Sequence, residues 1–194
     1  LAVNMYAGDS NDAMPHPTWG GVDGTSGAGP DGWAYATRNT AGAWIPSCAG
    51  RDMNSIQYSN QLAYFKLGQL GNYLSTVNVM YCPKDMQLKN SGIWKTWFLA
   101  RNVKITSYCM NGTIGNYVGR TGQVPSGKTF KMTQFQPMDI ITWEQNETDG
   151  FYFNDAGNNP ETGGEGVCQR HGGADRYAGG AATSGKTGGG GGMV

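Results

Sequence analysis

The spacing of apolar residues predicts helices in the first half of the chain. Leu1, Met5 and Tyr6 recur near a 3.6-residue period before Gly8, which is typical of the end of a helix. A longer apolar stripe predicts the main helix over 52–74, with Asp52 as its N-cap. The positions of that stripe are Ile56, Leu62, Ala63, Leu67, Leu70 and Leu74.

Shorter apolar runs further along the chain predict strands. They are rich in aromatic and β-branched residues and are bounded by Gly, Pro and Asn, which are strand and turn signals respectively. The runs cover 77–81, 93–99, 107–110, 130–135 and 139–143. Helices followed by antiparallel strands indicate the α+β class.

The composition predicts one domain with long loops. The chain has 194 residues, which is enough for a single hydrophobic core. Residues 9–50 are rich in Gly, Pro, Asn and Asp, which favour turns and irregular loops. Residues 1–172 are therefore interpreted as one globular domain, and 173–194 as a Gly-rich flexible tail or loop.

Three tryptophans fall within the predicted loops: Trp19, Trp33 and Trp44. A large aromatic side chain can fasten a loop to the core because it buries a large area. The alternative is that the three rings form a stacking surface for sugars, as in a carbohydrate-binding module. The sequence leaves both readings open.

The charge pattern argues against nucleic acid as a partner. The formal net charge is zero and only 14% of residues are charged, so the basic surface of a nucleic-acid binder is missing. Charge is nevertheless uneven, with eight basic residues and one acid over 84–131, and seven acids and no base over 139–165. Opposite patches would suit head-to-tail association of copies. Equally, the two segments could be neighbours in one fold and neutralise each other.

Four cysteines are widely spaced, and none forms a C-x-x-C pair: Cys48, Cys82, Cys109 and Cys168. An even number in a chain of this composition fits two disulfides outside the cytoplasm, with three pairings open. The alternative is four buried thiols.

An acidic stretch over 147–161 has the oxygen donors that calcium prefers. The candidate ligands are Glu147, Asp149, Asn154, Asp155, Asn158 and Glu161. The order of these residues does not match the EF-hand pattern, and an Asx-rich turn that bonds its own backbone is the alternative.

Two patterns in the sequence occur in enzymes, and neither of them predicts an enzyme here. Residues 180–187 match the letters of a phosphate-binding loop, but no strand precedes them and glycines follow, so we expect no nucleotide. Glu144 and Glu147 could act as a hydrolase pair in the acidic region, which stays an alternative function. No catalytic residue is assigned.

Several segments, in order, resemble one family, the bacterial pilin-like proteins of type II secretion and type IV pilus ancestry found in planctomycetes and verrucomicrobia. Residues 1–15 look like the end of its long helix and the exit from it, and 79–85 resemble its Cys-Pro-x-Asp turn. Residues 107–111 are similar to its Ser-Tyr-Gly-Met-Asn strand. Residues 135–144 resemble its strand ending in Glu, and 166–172 its Arg-His-Gly. Gly179-Gly180 stands where the family has Asp-Gly after its histidine.

The resemblance implies a pilin-like domain, with a helix packed on an antiparallel sheet and long Gly/Asn-rich loops. It further implies a non-enzymatic subunit of an extracellular or periplasmic filament, either a pilus-like fibre or a pseudopilus. Its partners would be copies of itself or other pilin-like subunits. The family's membrane-inserted helix would precede Leu1, so this reading expects a truncated first helix. Some relatives bind calcium in a C-terminal loop, which favours the calcium reading of 147–161.

Overall fold

A computed structural model describes residues 1–18, 22–24, 30–115, 127–146, 153, 155–159, 166–168, 170 and 171. The helices within these residues are α1 (Ala2–Asp9), α2 (Ile56–Leu67), α3 (Pro83–Leu88) and α4 (Gly92–Ala100). The strands are β1 (Tyr108–Asn111), β2 (Thr142–Glu144) and β3 (Gly157–Asn158). Short 3-10 turns cover Val22–Gly24, Val77–Met80, Gly112–Gly115 and Met132–Gln134. The α+β class is therefore confirmed.

The first helix is confirmed, and α1 ends one residue after the predicted Gly8. It packs on the core through Val3 and Tyr6, and the Tyr6 ring lies edge-on to Tyr73 with 6.0 Å between centroids. The chain then pairs with a later segment, because the Met14 amide donates to the Phe130 carbonyl at 2.9 Å. The expected packing of this helix on the sheet is not confirmed.

The main helix is shorter than predicted. Ser55, rather than Asp52, caps α2 by accepting a hydrogen bond from the Tyr58 amide at 3.3 Å. The helix ends at Gly68, where a Cβ atom would lie 2.7 Å from the Tyr35 backbone. Contact with another part of the chain therefore fixes the end of α2.

The buried face of α2 differs from the predicted apolar stripe. Ile56 and Leu67 are 67% and 43% exposed. The residues that face the core are instead Tyr58, Gln61, Tyr64 and Phe65. These polar side chains are buried with their hydrogen-bond partners. The Gln61 amide donates to the Pro46 and Asn102 carbonyls, and the Tyr64 hydroxyl to the Ala43 carbonyl. The Tyr58 hydroxyl lies 2.6 Å from that of Tyr81.

Two predicted strands are helical. Residues 77–80 form a 3-10 turn, which Thr76 caps by accepting from the Asn78 amide. Residues 93–99 lie within α4, whose C-terminal carbonyls accept hydrogen bonds from the Lys104 ammonium group. Aromatic and β-branched residues favour strands, but here the tertiary contacts at the helix end outweigh that weak preference.

Two further predicted strands differ in extent from the elements that the structure shows. Residues 130–135 form one isolated bridge, between Ala13 and Lys131, followed by the turn Met132–Gln134. The strand predicted over 139–143 occupies Thr142–Glu144.

The sheet has the order β2-β1-β3 and is mixed. Strand β1 pairs antiparallel with β2, with Cys109 opposite Trp143. It pairs parallel with β3, with Met110 opposite Gly157, so the predicted all-antiparallel sheet is wrong on this side. The core cluster includes Met110 of β1 together with Tyr35, Ile45, Ile105 and Ile114.

None of the helices in the described ranges has the length and apolar character needed to cross a bilayer.

Candidate functional site

Seven polar side chains meet at one end of β1 and form what we call the ionic cluster. They are Cys82, Asp85, Arg101, Ser107, Glu144, Arg170 and His171. All except His171 are buried. Four of the buried side chains are charged: Asp85, Arg101, Glu144 and Arg170. They must be closely paired, because an isolated charge in a protein interior strongly destabilises the fold.

Backbone hydrogen bonds bring these residues together from distant parts of the sequence. The Ser107 amide donates to the Met80 carbonyl at 2.9 Å, which places the segment before α3 beside the start of β1. Glu144 is the last residue of β2, and its carbonyl accepts from the Cys168 amide at 2.7 Å. Residues 170 and 171 follow directly and therefore reach the same place.

Asp85 is the centre of the cluster. Its carboxylate accepts two hydrogen bonds from the Arg101 guanidinium at 2.7 and 2.8 Å, and a third from the Ser107 hydroxyl at 2.5 Å. Arg170 Nη1 lies 2.8 Å from the same carboxylate. Burial would raise the pKa of Asp85, but the two guanidinium groups outweigh it and hold that pKa well below its usual range.

Arg170 connects Asp85 to Glu144. Its Nε lies 3.3 Å from Glu144 Oε2 and 3.0 Å from Cys168 Sγ. Two carboxylates and two guanidinium groups thus balance in charge within the cluster. The other Glu144 oxygen, Oε1, points away from Arg170 toward His171.

Cys82, Glu144 and His171 form the outer side of the cluster. His171 Nε2 lies 3.4 Å from Cys82 Sγ and 3.0 Å from Glu144 Oε1. One ligand atom from each residue lies within 4.8 Å of the other two. The His171 side chain is 39% exposed, so this side is open to solvent.

The geometry of this triad does not fit a nucleophilic relay. In a relay, one imidazole nitrogen faces the nucleophile and the other faces the carboxylate. Here Cys82 and Glu144 both approach the same nitrogen of His171. Burial, with Glu144 acting in the same direction, raises the pKa of the Cys82 thiol, so the reactive thiolate is disfavoured. Three donor atoms around one point are instead the arrangement of metal ligands.

The predicted calcium ligands are only partly placed. Glu147, Asp149, Asn154 and Glu161 lie outside the described residues. Asp155 and Asn158 are buried; Asp155 Oδ1 accepts from the Gly157 amide, and Asn158 Nδ2 donates to Gln145 Oε1 at 2.6 Å. The contact of Asp155 with the Gly157 amide is an Asx turn, the alternative to a calcium loop given above. Calcium binding by this loop stays a prediction.

The four cysteines all lie in the described part of the chain, are buried, and are not joined by disulfides. This corresponds to the alternative of four buried thiols rather than to two bridges. Cys48 lies near Lys104, yet burial dominates and raises the pKa of its thiol to about 11. Cys82 is the cysteine whose sulfur faces a histidine.

The tryptophans differ from one another. Trp33 is 5% exposed and donates from its indole nitrogen to the Ala156 carbonyl at 2.9 Å, so it holds its loop to the core as expected and offers no stacking face. Trp44 is partly exposed, and the Arg38 guanidinium lies 3.8 Å from its ring centroid. Trp19 lies outside the described residues, as does the segment 180–187.

Sequence reasoning considered the members of the triad separately and did not join them. Cys82 was a disulfide candidate, Glu144 half of a carboxylate pair, and His171 a single histidine without a partner. The signal that could have joined them is the resemblance, because its motifs contain all three residues. Comparisons with models of known families, with curated proteins and with solved structures gave no match to this chain.

Proposed function

We propose that this protein is a non-enzymatic structural subunit of an extracellular or periplasmic pilus-like or pseudopilus filament. Its partners are copies of itself or other pilin-like subunits. The observation that carries the proposal is the ionic cluster, because six of its seven members come from four of the segments that resemble the pilin-like family.

Each of these segments is a weak signal by itself. Asp85 comes from the Cys-Pro-x-Asp turn, Ser107 from the Ser-Tyr strand, Glu144 from the end of the Glu strand, and Arg170 from the Arg-His-Gly segment. In the structure they are within direct contact of one another. A common role in one buried network explains why these residue types occur in that order, and this supports the family reading.

The contacts within the cluster also suit a structural role. The Arg101 guanidinium donates two hydrogen bonds, of 2.7 and 2.8 Å, to the Asp85 carboxylate. Both side chains are at most 3% exposed. A buried bidentate pair fixes geometry, because breaking it leaves an uncompensated charge. In the pilin-like scheme, α1 continues the long helix of the filament core, and Tyr6 and the pairing of Met14 join it to the globular part.

The proposal is tested by expressing the complete reading frame, including whatever precedes Leu1, in its native cells. Material sheared from the cell surface is examined by negative-stain electron microscopy with antibody labelling. Labelled filaments support the proposal. Recovery of the protein only as a dispersed soluble species contradicts it.

A charge-reversal pair tests the head-to-tail arrangement of subunits. Lys95→Glu and Lys131→Glu change exposed bases in the basic segment, while Lys66→Glu changes an exposed base on α2 outside it. We expect the first two, combined, to reduce the filament yield and Lys66→Glu to leave it unchanged. Equal yields from all variants would show that these charges do not direct assembly.

A further inference from the structure

The solvent-facing side of the ionic cluster carries three side chains that could act as metal ligands, whereas the rest of the cluster consists of paired charges. Asp85, Arg101 and Arg170 satisfy one another, whereas Cys82, Glu144 and His171 direct a sulfur, an oxygen and a nitrogen to one point. We propose that these three residues bind one divalent transition-metal ion of the zinc class.

Two of the three distances between ligand atoms are close to those of tetrahedral coordination, and the third, from Cys82 to Glu144, is at most 4.8 Å. Zinc lies about 2.3 Å from a thiolate and about 2.0 to 2.1 Å from an imidazole nitrogen, so two such ligands of a tetrahedron are roughly 3.6 Å apart. The Cys82 sulfur and His171 Nε2 are 3.4 Å apart. An imidazole nitrogen and a carboxylate oxygen on one zinc ion are about 3.4 Å apart by the same geometry. Here His171 Nε2 and Glu144 Oε1 are 3.0 Å apart.

The donor types select the metal. A thiolate and an imidazole are soft and intermediate ligands that suit zinc and its neighbours, whereas calcium and magnesium prefer oxygen. The site is therefore distinct from the calcium loop predicted over 147–161. Three protein ligands leave one position of the tetrahedron for a solvent molecule, and the exposed side of His171 gives solvent access.

Surrounding residues hold the ligands in place. Arg170 Nε lies 3.3 Å from Glu144 Oε2 and so turns Oε1 toward His171. Cys82 directly precedes α3, whose first turn is fixed by Asp85 through Arg101. Outer contacts of this kind orient metal ligands and raise affinity. Binding releases the thiol proton of Cys82 to solvent, and the thiolate so formed neutralises one of the two charges of the ion.

The site connects three parts of the chain that lie far apart in sequence. It joins the start of α3, the end of β2, and the residue that follows Arg170. An ion there stabilises the native state, because a preformed site of this kind does not exist in the unfolded chain. The inference does not depend on filament assembly and can be tested on the isolated chain.

Zinc binding is measured by calorimetry and by metal analysis on the tag-free, reduced chain. We expect one zinc ion per chain, and at least tenfold weaker binding in His171→Ala and in Cys82→Ser. The chain offers matched controls in its other histidine and another buried cysteine, His16→Gln and Cys48→Ser, which should bind like the wild type. His171 is partly exposed, so His171→Ala keeps the test valid if Cys82→Ser does not fold.

Cobalt gives a second readout that reports the sulfur ligand. We expect the Co²⁺-loaded wild type to show a thiolate-to-cobalt charge-transfer absorption that is missing in Cys82→Ser and retained in Cys48→Ser. Zinc should also raise the thermal midpoint of the wild type and not that of His171→Ala. Failure of the wild type to bind zinc, or equal binding by His171→Ala and the wild type, would overturn the inference.

Discussion

At the scale of single residues, the interior of this protein contains charge that would be costly without its partners. Asp85 is 3% exposed and Arg101 1% exposed, and they are paired by two hydrogen bonds. Arg101 also lies over the Phe98 and Phe153 rings, at 4.6 and 4.1 Å from their centroids. A buried pair of this kind contributes little compared with an apolar substitute, but the loss of one partner is severe.

The first prediction concerns Asp85. Replacing it by asparagine leaves two buried guanidinium groups, Arg101 and Arg170, without their shared carboxylate. We expect Asp85→Asn to lower the free energy of unfolding by about 3 to 5 kcal/mol. Urea denaturation gives that quantity. The control Asp52→Asn changes an exposed acid and should stay within about 0.5 kcal/mol of wild type, and equal losses in both variants would contradict the prediction.

Lys104 is also buried, but it lies outside the ionic cluster. Its Nζ donates to the carbonyls of Cys48, Leu99 and Arg101 at 2.8, 3.1 and 2.5 Å, which matches the three protons of an ammonium group. Burial still lowers the pKa of Lys104 from 10.5 to about 7. Lys104 therefore links the protein's stability to pH.

The second prediction follows from the sign of that pKa change. Between about pH 7 and pH 10 the unfolded chain binds a proton at Lys104 that the folded chain does not, so stability rises with pH. We expect the difference in unfolding free energy between wild type and Lys104→Met to grow across this range, by at most about 1.4 kcal/mol per pH unit. Chemical denaturation at several pH values measures it. A difference that is constant or falls with pH would argue against a lowered pKa.

At the scale of secondary-structure elements, neighbours decide where helices end. The close approach of Gly68 to the Tyr35 backbone ends α2, and the Lys104 ammonium caps α4. In contrast, Gly8 lies inside α1 with nothing within 4 Å of the place where a Cβ atom would be. The same residue type therefore has opposite roles in the two helices.

The third prediction compares these two glycines. Gly68→Ala places a methyl group 2.7 Å from the Tyr35 backbone, and we expect a loss of about 1 to 3 kcal/mol in the free energy of unfolding. Gly8→Ala meets no neighbour and should instead gain up to about 1 kcal/mol, because alanine is the better helix former. Thermal and urea unfolding measure both. A loss in Gly8→Ala as large as that in Gly68→Ala would show that steric contact is not the cause.

At the scale of the whole molecule, β1 is paired on both sides, whereas most residues of α1 are partly or fully exposed. The amides of Met110 and Asn111 donate to the carbonyls of Ala156 and Ile141, which ties β1 to both neighbours. In α1, the buried residue is Ala7, and Leu1 and Met5 are 95% and 48% exposed. Stability is therefore unevenly distributed over the fold.

The fourth prediction concerns the rates at which the backbone amides of β1 and α1 exchange hydrogen with solvent. In the isolated chain, we expect the amides of β1 to exchange only through global unfolding and those of α1 through local fraying, at least about a hundredfold faster. Hydrogen exchange with mass spectrometry resolves peptides covering 2–9 and 108–111. Equal protection of the two segments would show that α1 unfolds together with the core.

The two charged segments of the sequence are partly neutralised inside the fold. Asp85 and Arg101, both from the basic segment, pair with each other, and Glu144 from the acidic segment contacts Arg170. Lys104 is also buried, with carbonyl partners. Fewer charges of the two segments therefore face outward than the sequence suggests, although Lys95 and Lys131 remain exposed.

Local periodicity and turn residues were enough to predict the α+β class, the presence of α1 and α2, and the strands around Cys109 and Trp143. The motifs of the resemblance also contain every member of the ionic cluster except Arg101. The buried face of α2 could not be predicted in this way, since Tyr58 and Gln61 are polar and find their hydrogen-bond partners, the Tyr81 hydroxyl and the Pro46 carbonyl, only in the folded chain.

The remaining features depend on tertiary contacts. Residues 93–99 are helical against their strand-like composition, and Lys104 donates to the Leu99 carbonyl at the end of that helix. Strand β3 pairs parallel to β1 through contacts more than forty residues apart in sequence. Cys82, Glu144 and His171 share one point because a backbone hydrogen bond from Ser107 to Met80 and another from Cys168 to Glu144 align three distant segments. Such convergence depends on long-range pairing, which the spacing of residues along a chain does not encode.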